Sequence, residues 1–247
     1  MHPILFKVGP ITVYSYGFIL AVAFLVSFFV AAFEARRKEI SDDVVYDLIL
    51  AAIIGGIFGA RFFYVVANFD YFFKFPLQIF VIQEGLVFYG GLTGGIIAVL
   101  LVSLRKKIPV CKVADISAPC LALGGAIGRI GCLLNGCCYG KPSNLFWAIK
   151  LPHLSYHRHP TQVYDLLYNL LIFGIIWRTR KRIDRDGIIF WVYLFLYSIG
   201  RFFVEFFRVS RVVLLGLTGA QLISVCIFII SSIVLFKKYT YFSSSKS

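Results

Sequence analysis

Seven long apolar stretches constrain this chain more than any other feature of its sequence. Each is about long enough to cross roughly 30 Å of hydrocarbon as a helix. A helix also satisfies its own backbone hydrogen bonds in lipid. The stretches cover residues 15–33, 44–67, 86–104, 113–134, 161–177, 187–207 and 215–236. The sequence therefore predicts an all-α, polytopic integral membrane protein with seven transmembrane helices, forming one domain over residues 1–247.

The basic residues between these stretches predict the orientation. The net charge is +13, but the basic residues fall in short clusters between apolar runs rather than on one nucleic-acid-binding face. Fifteen of them lie in one alternating set of loops and seven in the other. The positive-inside rule then predicts a periplasmic N-terminus and a cytoplasmic C-terminus, with short periplasmic segments at 68–85 and 139–160. We expect a bilayer as the environment and no nucleic acid as a partner.

This orientation brings polar residues from distant parts of the chain to one depth. All of them fall in the outer half of their stretches or beside the outer ends, which predicts one site at the outer leaflet, open to lipid. The residues are Tyr16, Arg61, Tyr89, Arg129, Asn135, His159, Tyr197, Arg201, Glu205 and Gln221.

Arg129 is the most informative of these residues. An arginine inside a membrane helix costs a few kcal/mol on insertion scales, so it needs a polar cavity or an anionic partner. Gly124, Gly128 and Gly131 surround it at helical spacing, which predicts close contact with another helix along that face. Two or three guanidinium groups at one depth suit a phosphate diester, which arginine binds through paired hydrogen bonds.

Other candidates have a structural as well as a functional interpretation. Tyr197, Arg201 and Glu205 are spaced four apart, and an Arg201–Glu205 pair either neutralises the arginine or holds it toward a ligand. Arg61 can extend its charge to the interface. Tyr16 and Tyr89 are also typical of aromatic belts at membrane surfaces.

The six cysteines do not form a pair of C-x-x-C motifs and have no clustered histidines beside them. This spacing disfavours a zinc site. Cys137 and Cys138 are adjacent, which places them poorly for bridging each other. From this spacing we expect no zinc site.

Motifs over most of the chain, in order, carry a resemblance to a known family. The longest is Gly128-Arg-Ile-Gly-Cys-Leu-Leu-Asn-Gly-Cys-Cys-Tyr-Gly140. The two most specific are Arg158-His-Pro-Thr-Gln-Val-Tyr164 and Gly200-Arg-Phe-Phe-Val-Glu-Phe-Phe-Arg208. Shorter motifs lie at residues 8–11, 16–17, 59–61, 84–92, 115–119 and 219–221. Together they resemble the bacterial prolipoprotein diacylglyceryl transferases.

The resemblance implies an inner-membrane enzyme with no metal or cofactor. Such an enzyme moves the diacylglyceryl group of phosphatidylglycerol to the lipobox cysteine of a preprolipoprotein signal peptide, and glycerol-1-phosphate leaves. It implies catalytic roles for Arg129, Arg201, Glu205 and Tyr89. It also implies a phosphatidylglycerol site made of Arg129, Arg201, Arg61, Tyr16, Asn135, Tyr197, Gly140 and His159.

The chain departs from the family pattern at several positions. Family members commonly have histidine where Tyr89 stands, Gly-Asn-Phe where Gly131 is followed here by Cys132 and Leu133, and glutamate where Cys137 stands. The segment 139–159 is also shorter than the outer insertion that many members carry. The proton acceptor is therefore Tyr89, His159 or the phosphate itself. A catalytically altered paralogue or a lipid-binding or transport protein is the alternative to the enzyme.

Overall fold

The computed structural model describes residues 2–9, 11–80, 85–151, 154–183 and 185–244. Pro10 and Glu84, which belong to two of the motifs above, lie outside the described residues. So do residues 81–84 and 152–153 of the two predicted periplasmic segments. The side chains of residues 8, 11, 239 and 241–244 are likewise not covered.

The described residues are mainly helical. The helices are α1 Ser15–Arg37, α2 Asp42–Ala67, α3 Phe69–Lys74, α4 Phe88–Arg105, α5 Val110–Asn135, α6 Thr161–Thr179, α7 Ile188–Glu205 and α8 Gly219–Ser244. The described residues also contain three short antiparallel hairpins. The first, β1 Ile4–Val8 with β2 Ile11–Tyr14, precedes α1, whereas β3 Ile149–Lys150 with β4 His157–Arg158 and β5 Val212–Leu214 with β6 Leu217–Thr218 lie between helices. This agrees with the all-α prediction.

Six of these helices are long and apolar enough to cross a membrane, namely α1, α2, α4, α5, α7 and the 219–238 part of α8. The chain is therefore a multi-pass membrane protein. The remaining predicted stretch forms α6, a helix of 19 residues. Its buried Gln162, Asp165 and Asn169 make it less apolar than the other six.

The chain forms two compact units. One contains residues 32–113, and in it α2 packs against α4 through glycines. A Cβ added to Gly55 would lie 2.7 Å from the Gly94 carbonyl oxygen, so the two helices touch backbone to backbone. The prediction of one transmembrane domain over residues 1–247 stays a prediction.

The other unit contains residues 1–31 and 114–247. Its core lies where α5, α6 and α7 meet, and is formed by Ala118, Ala122, Ile172, Ile176, Ile189 and Tyr193. The small alanines of α5 let the isoleucines of the neighbouring helices approach closely. This core fixes the three helices that carry most of the candidate site.

The glycines around Arg129 follow the prediction only in part. A Cβ on Gly124 would lie 2.6 Å from the Ser27 hydroxyl of α1, and one on Gly131 would lie 3.3 Å from the Tyr16 ring. Gly128 has no such neighbour within 4 Å among the described residues. The predicted close contact is therefore present at Gly124 and Gly131, and wrong at Gly128.

Asp115 of α5 fixes the start of α7. Its buried carboxylate accepts hydrogen bonds from the backbone N–H groups of Gly187 (2.8 Å) and Phe190 (3.0 Å), which have no partner inside the helix. The negative charge also lies at the positive end of the helix dipole.

Replacing Asp115 by alanine should lower the stability by about 1–3 kcal/mol, because it leaves buried donors without an acceptor. Thermal unfolding in detergent measures this. Asp43→Ala, which removes an exposed carboxylate, is the control. An equal effect of the two substitutions would contradict the capping role.

Candidate active site

Three arginines and two carboxylates from α5, α6, α7 and the residues after α7 form one continuous cluster. Asp165 Oδ2 lies 3.1 Å from Arg129 Nε and 3.3 Å from Arg208 Nη1. Glu205 Oε2 lies 2.8 Å from Arg201 Nη2 and 3.7 Å from Arg208 Nε. The Arg201–Glu205 pair expected from the spacing is therefore present. We call these five residues the arginine cluster.

The cluster combines buried anions with accessible cations. The Asp165 side chain is fully buried and that of Glu205 is 3% exposed, whereas the three arginines are 18% to 25% exposed. Three positive charges stand against two negative ones, so the cluster carries an excess of one positive charge. That excess is available to an anionic ligand.

Three buried atoms of the cluster make no hydrogen bond among the described residues. They are Arg201 Nη1, Asp165 Oδ1 and Glu205 Oε2, and the last of these is still in ion-pair contact with Arg201 and Arg208. A buried N–H group without an acceptor is costly, and a bound anion would satisfy it. Arg201 is thus held at one nitrogen by Glu205 and free at the other.

Residues at the start of α8 support the Glu205 carboxylate. Thr218 Oγ1 donates to Glu205 Oε1 at 3.2 Å, and Gln221 Oε1 accepts from the Thr218 backbone N–H at 2.9 Å. Both Thr218 and Gln221 are buried. The predicted residue Gln221 therefore positions Glu205 through Thr218.

An open cavity of about 590 Å³ lies beside Arg208. It is lined by Gly136, Cys137, Cys138, Tyr139, Arg158, Arg208 and Val209. Two of its lining side chains are arginines, so the cavity is also suited to an anion.

The turn after α5 is held against α6. Thr161 Oγ1 donates to the Cys138 carbonyl at 2.7 Å, and Gln162 Nε2 donates to the Cys137 carbonyl at 2.6 Å. Gly136 and Cys138 have φ angles of +72° and +63°, which reverse the chain within three residues. The turn therefore has a fixed geometry although it is not helical.

Gly140 ends this turn where three segments meet. Its N–H donates to the His159 carbonyl at 2.9 Å, and a Cβ at this position would overlap the Phe207 carbonyl oxygen and come within 2.8 Å of His159 and Thr161. The predicted residue Gly140 therefore keeps the segments before α6 and after α7 close together.

Replacing Gly140 by alanine should destabilise the protein by about 1–3 kcal/mol, because the backbone has to shift to make room. The arginine cluster should be displaced as well, because Phe207, whose backbone contacts Gly140, lies between Glu205 and Arg208 in the sequence. Gly174→Ala is the matched control. That position has nothing within 4 Å of an added Cβ, and alanine favours a helix. Equal melting temperatures for the two variants would contradict the prediction.

The other predicted residues of this unit surround the cluster without joining its ion pairs. The Tyr16 ring lies against Gly131 and remains 42% exposed. Asn135 ends α5 with an exposed side chain beside the Cys137 thiol. The Tyr197 ring lies 5.9 Å from that of Tyr168.

His159 belongs to an aromatic group rather than to the arginine cluster. Its Nδ1 lies 3.1 Å from the Tyr164 hydroxyl, which accepts from Trp147 Nε1 at 2.7 Å. The Tyr164 hydroxyl therefore links His159 to Trp147, and within the described part of the chain neither of these two residues contacts the ion pairs of the cluster.

Arg61 and Tyr89 belong to the unit of residues 32–113. Arg61 is buried, and its guanidinium donates to the carbonyls of Gln78, Ile79 and Gly85 at 2.6 to 3.2 Å. It therefore orders the backbone between α3 and α4. Tyr89 lies in the first turn of α4 with its side chain 67% exposed. Their predicted roles in lipid binding and catalysis stay predictions.

Sequence reasoning missed Asp165 and Arg208. Asp165 is an acid inside a predicted membrane helix, which is by itself a sign of a functional residue. Arg208 lies just outside the predicted stretch 187–207, and the structure also leaves it outside α7, yet it remains close enough to contact Glu205. Both belong to motifs or stretches that had been singled out for other residues.

Three cysteines also come together here. The Sγ atoms of Cys132, Cys137 and Cys138 lie within 4.8 Å of one another. A hydrogen bond from the Cys132 thiol, helped by the charges of Arg208 and Arg129, lowers the pKa of Cys138 to about 5. Burial raises the pKa of Cys137 above its ordinary value.

Comparison with known proteins gives one consistent family. A sequence model described as "Prolipoprotein diacylglyceryl transferase" matches residues 3–237. A protein of Clostridium tetani named phosphatidylglycerol–prolipoprotein diacylglyceryl transferase is 33% identical over 214 residues, covering 84% of this chain and 86% of its own. Proteins with the same name from Nostoc and Streptococcus equi subsp. zooepidemicus are 33% and 34% identical. They cover 90% and 97% of this chain, and 84% and 96% of their own.

Proposed function

The chain belongs to the prolipoprotein diacylglyceryl transferase family, and on that basis we propose that its arginine cluster holds the phosphate of phosphatidylglycerol during transfer. The protein is a transferase that uses phosphatidylglycerol in the first step of lipoprotein maturation. The acceptor in the proposal is the lipobox cysteine thiol of a preprolipoprotein signal peptide.

The reaction moves charge onto the phosphate. The thiol gives its proton to Tyr89, the candidate proton acceptor, and the thiolate attacks the diacylglyceryl carbon that carries the phosphate. An S–C bond forms, the C–O bond breaks, and its electron pair stays on the phosphate oxygen of glycerol-1-phosphate. The phosphate thus changes from a diester with one negative charge to a monoester with two.

One observation carries the proposal: Arg201 is fixed by Glu205 and keeps a buried N–H without a partner among the described residues. This donor and the excess positive charge of the cluster stabilise the charge that develops on the leaving phosphate. Arg129 and Arg208, both fixed by Asp165, complete a set of guanidinium groups suited to phosphate oxygens.

The surroundings of Arg201 are suited to the lipid tails. An apolar groove of about 350 Å³ runs between α7 and α8. It is lined by Ser198, Ile199, Phe202, Phe203, Ser224, Val225 and Phe228. Because the groove residue Ser198 lies three residues before Arg201 on the same helical face, a lipid with its phosphate at Arg201 can place an acyl chain in this groove.

The other predicted residues have supporting roles in the proposal. Tyr16, Asn135 and Tyr197 hydrogen-bond the head group or the acceptor, and Gly140 and His159 keep the segments around the cluster in place. Tyr89 is the candidate proton acceptor. Arg61 contributes by ordering the segment before α4.

We also propose the finer topology that the charge distribution predicts. In it α6 crosses the membrane as a seventh helix, because its polar residues face the cluster rather than lipid. The N-terminus is periplasmic, the C-terminus cytoplasmic, and the site opens to the outer leaflet of the bacterial inner membrane. Cysteines placed in the loops and labelled from one side of the membrane test this orientation.

The test of the function is transfer of labelled diacylglycerol from phosphatidylglycerol vesicles to a lipobox peptide. The peptide should become labelled, and a control peptide with serine in place of its cysteine should not. In cells, the same function is tested by asking whether this protein restores growth to a strain depleted of its own transferase. Well-folded protein that neither labels the peptide nor supports growth would favour the catalytically altered paralogue.

A further inference from the structure

We propose that Cys132, Cys137 and Cys138 form a binding site for one zinc-class cation with three thiolate ligands and one open position. The open position faces the cavity beside Arg208 and takes the thiol of the acceptor peptide. This second part rests on the function proposed above. The sequence spacing disfavoured a zinc site, but the fold brings the three thiols together.

The distances suit such a site. Zinc–sulfur bonds are about 2.3 Å long, and a tetrahedral site then needs sulfur atoms roughly 3.8 Å apart. The three Sγ atoms lie within 4.8 Å of one another. The remaining difference is at most about 1 Å, and side-chain rotations that move each sulfur by about 0.5 Å would close it.

The ligands stand on a fixed frame. Cys132 lies in the last turn of α5, and the Cys137 N–H donates to its carbonyl at 3.1 Å. The carbonyls of Cys137 and Cys138 are in turn held by Gln162 and Thr161 of α6. A rigid frame of this kind keeps the ligands in place before the metal binds.

The charge around the site is balanced by its neighbours. Three thiolates and one divalent cation leave a single negative charge. Arg208 and Arg158 line the same cavity as Cys137 and Cys138, so this charge is compensated without a further counter-ion. The thiolates are also the soft ligands that favour zinc over magnesium or calcium.

The open position explains why a metal would be useful here. Catalytic zinc sites keep three protein ligands and one exchangeable position, and a thiol that coordinates the metal is deprotonated outright. An acceptor thiol would replace a bound water and lose its proton to solvent. The metal-bound thiolate then attacks the lipid carbon, and glycerol-1-phosphate leaves as before.

A disulfide is the competing state of these thiols. Adjacent cysteines such as Cys137 and Cys138 are poorly placed to bridge each other, so a disulfide would use Cys132 and leave the third thiol unused. Three converging thiols are better explained by a metal. Thiol counting after denaturation distinguishes the states, because the metal site leaves all six cysteines free.

The first experiment measures metal in the full-length protein, purified in detergent through a tag without histidines. We expect about one zinc per chain, and after exchange a cobalt form with thiolate-to-cobalt absorption. Adding a lipobox peptide should change that absorption, whereas the cysteine-to-serine peptide should not. Zinc far below one per chain, or a Cys132 disulfide, would overturn the proposal.

The second experiment uses Cys132→Ser and Cys138→Ser, with Cys226→Ser as the matched control because Cys226 lies exposed on α8. The first two should lose the metal, and their transfer rate at pH 7 should fall about 30-fold, because a free thiol is only a few per cent thiolate there. Their rates should approach that of the unchanged protein near pH 9. The control should keep both metal and rate.

The outcomes separate this inference from the proposed function. Suppose that the protein transfers the lipid without bound metal and that the serine variants work at the same rate. This result would contradict the metal site, and the proposed transferase function would still stand. One metal per chain, together with a cobalt spectrum that changes when the cysteine peptide is added, would support the metal site even if no transfer is observed. In that case the proposed function fails and the binding site stands.

Discussion

Replacing Arg201 by alanine should lower diacylglyceryl transfer about 10²- to 10³-fold at saturating phosphatidylglycerol, the cost of removing one preorganised donor to a developing negative charge. Arg201 Nη1 is buried without a partner among the described residues, whereas Nη2 is held by Glu205 at 2.8 Å. The effect should therefore fall mainly on kcat, because the charge to be stabilised doubles only as the C–O bond breaks. The labelled-peptide assay gives both kinetic constants.

Two further variants make this prediction specific. Arg201→Lys keeps the charge but loses the forked geometry, so it should recover only a small part of the rate. Arg211→Ala removes an exposed arginine a few residues away and should change the rate less than twofold. A kcat for Arg201→Ala within a factor of three of the unchanged protein would remove Arg201 from the mechanism.

Replacing Asp165 by alanine should have the largest effect on stability, about 3–5 kcal/mol, since it removes the buried anion that two arginines share. Arg129 and Arg208 both contact Asp165 Oδ2, at 3.1 and 3.3 Å. Without it, three cations stand beside Glu205 alone, and their mutual repulsion should move them apart. Thermal unfolding in detergent and the transfer assay measure the two consequences.

Asp165→Asn distinguishes charge from shape. Asparagine keeps the size and one acceptor oxygen but removes the negative charge, so it should recover part of the stability and little of the activity. Asp70→Ala, which removes an exposed carboxylate of the other unit, is the control for losing an acid. If Asp165→Ala unfolded at the same temperature as the unchanged protein, the ion pairs of Asp165 would not contribute to stability.

The sequence by itself determined the class of fold and much of the site. Long apolar runs leave a helix as the stable form in lipid, because no water is present to satisfy an irregular backbone. An arginine inside such a run had to have a partner, and a glutamate four residues after Arg201 lay on the same helical face. The structure confirms six apolar spans and contains the Arg201–Glu205 pair.

Contacts between distant residues were decided by tertiary structure alone. Asp165 meets Arg129 across 36 positions of the sequence, and the thiols of Cys132 and Cys138 meet because a turn with two positive φ angles reverses the chain after α5. Periodicity assigns a residue to a face of its own helix. Which faces then meet depends on how α5, α6 and α7 pack around their shared core, and no local pattern encodes that packing.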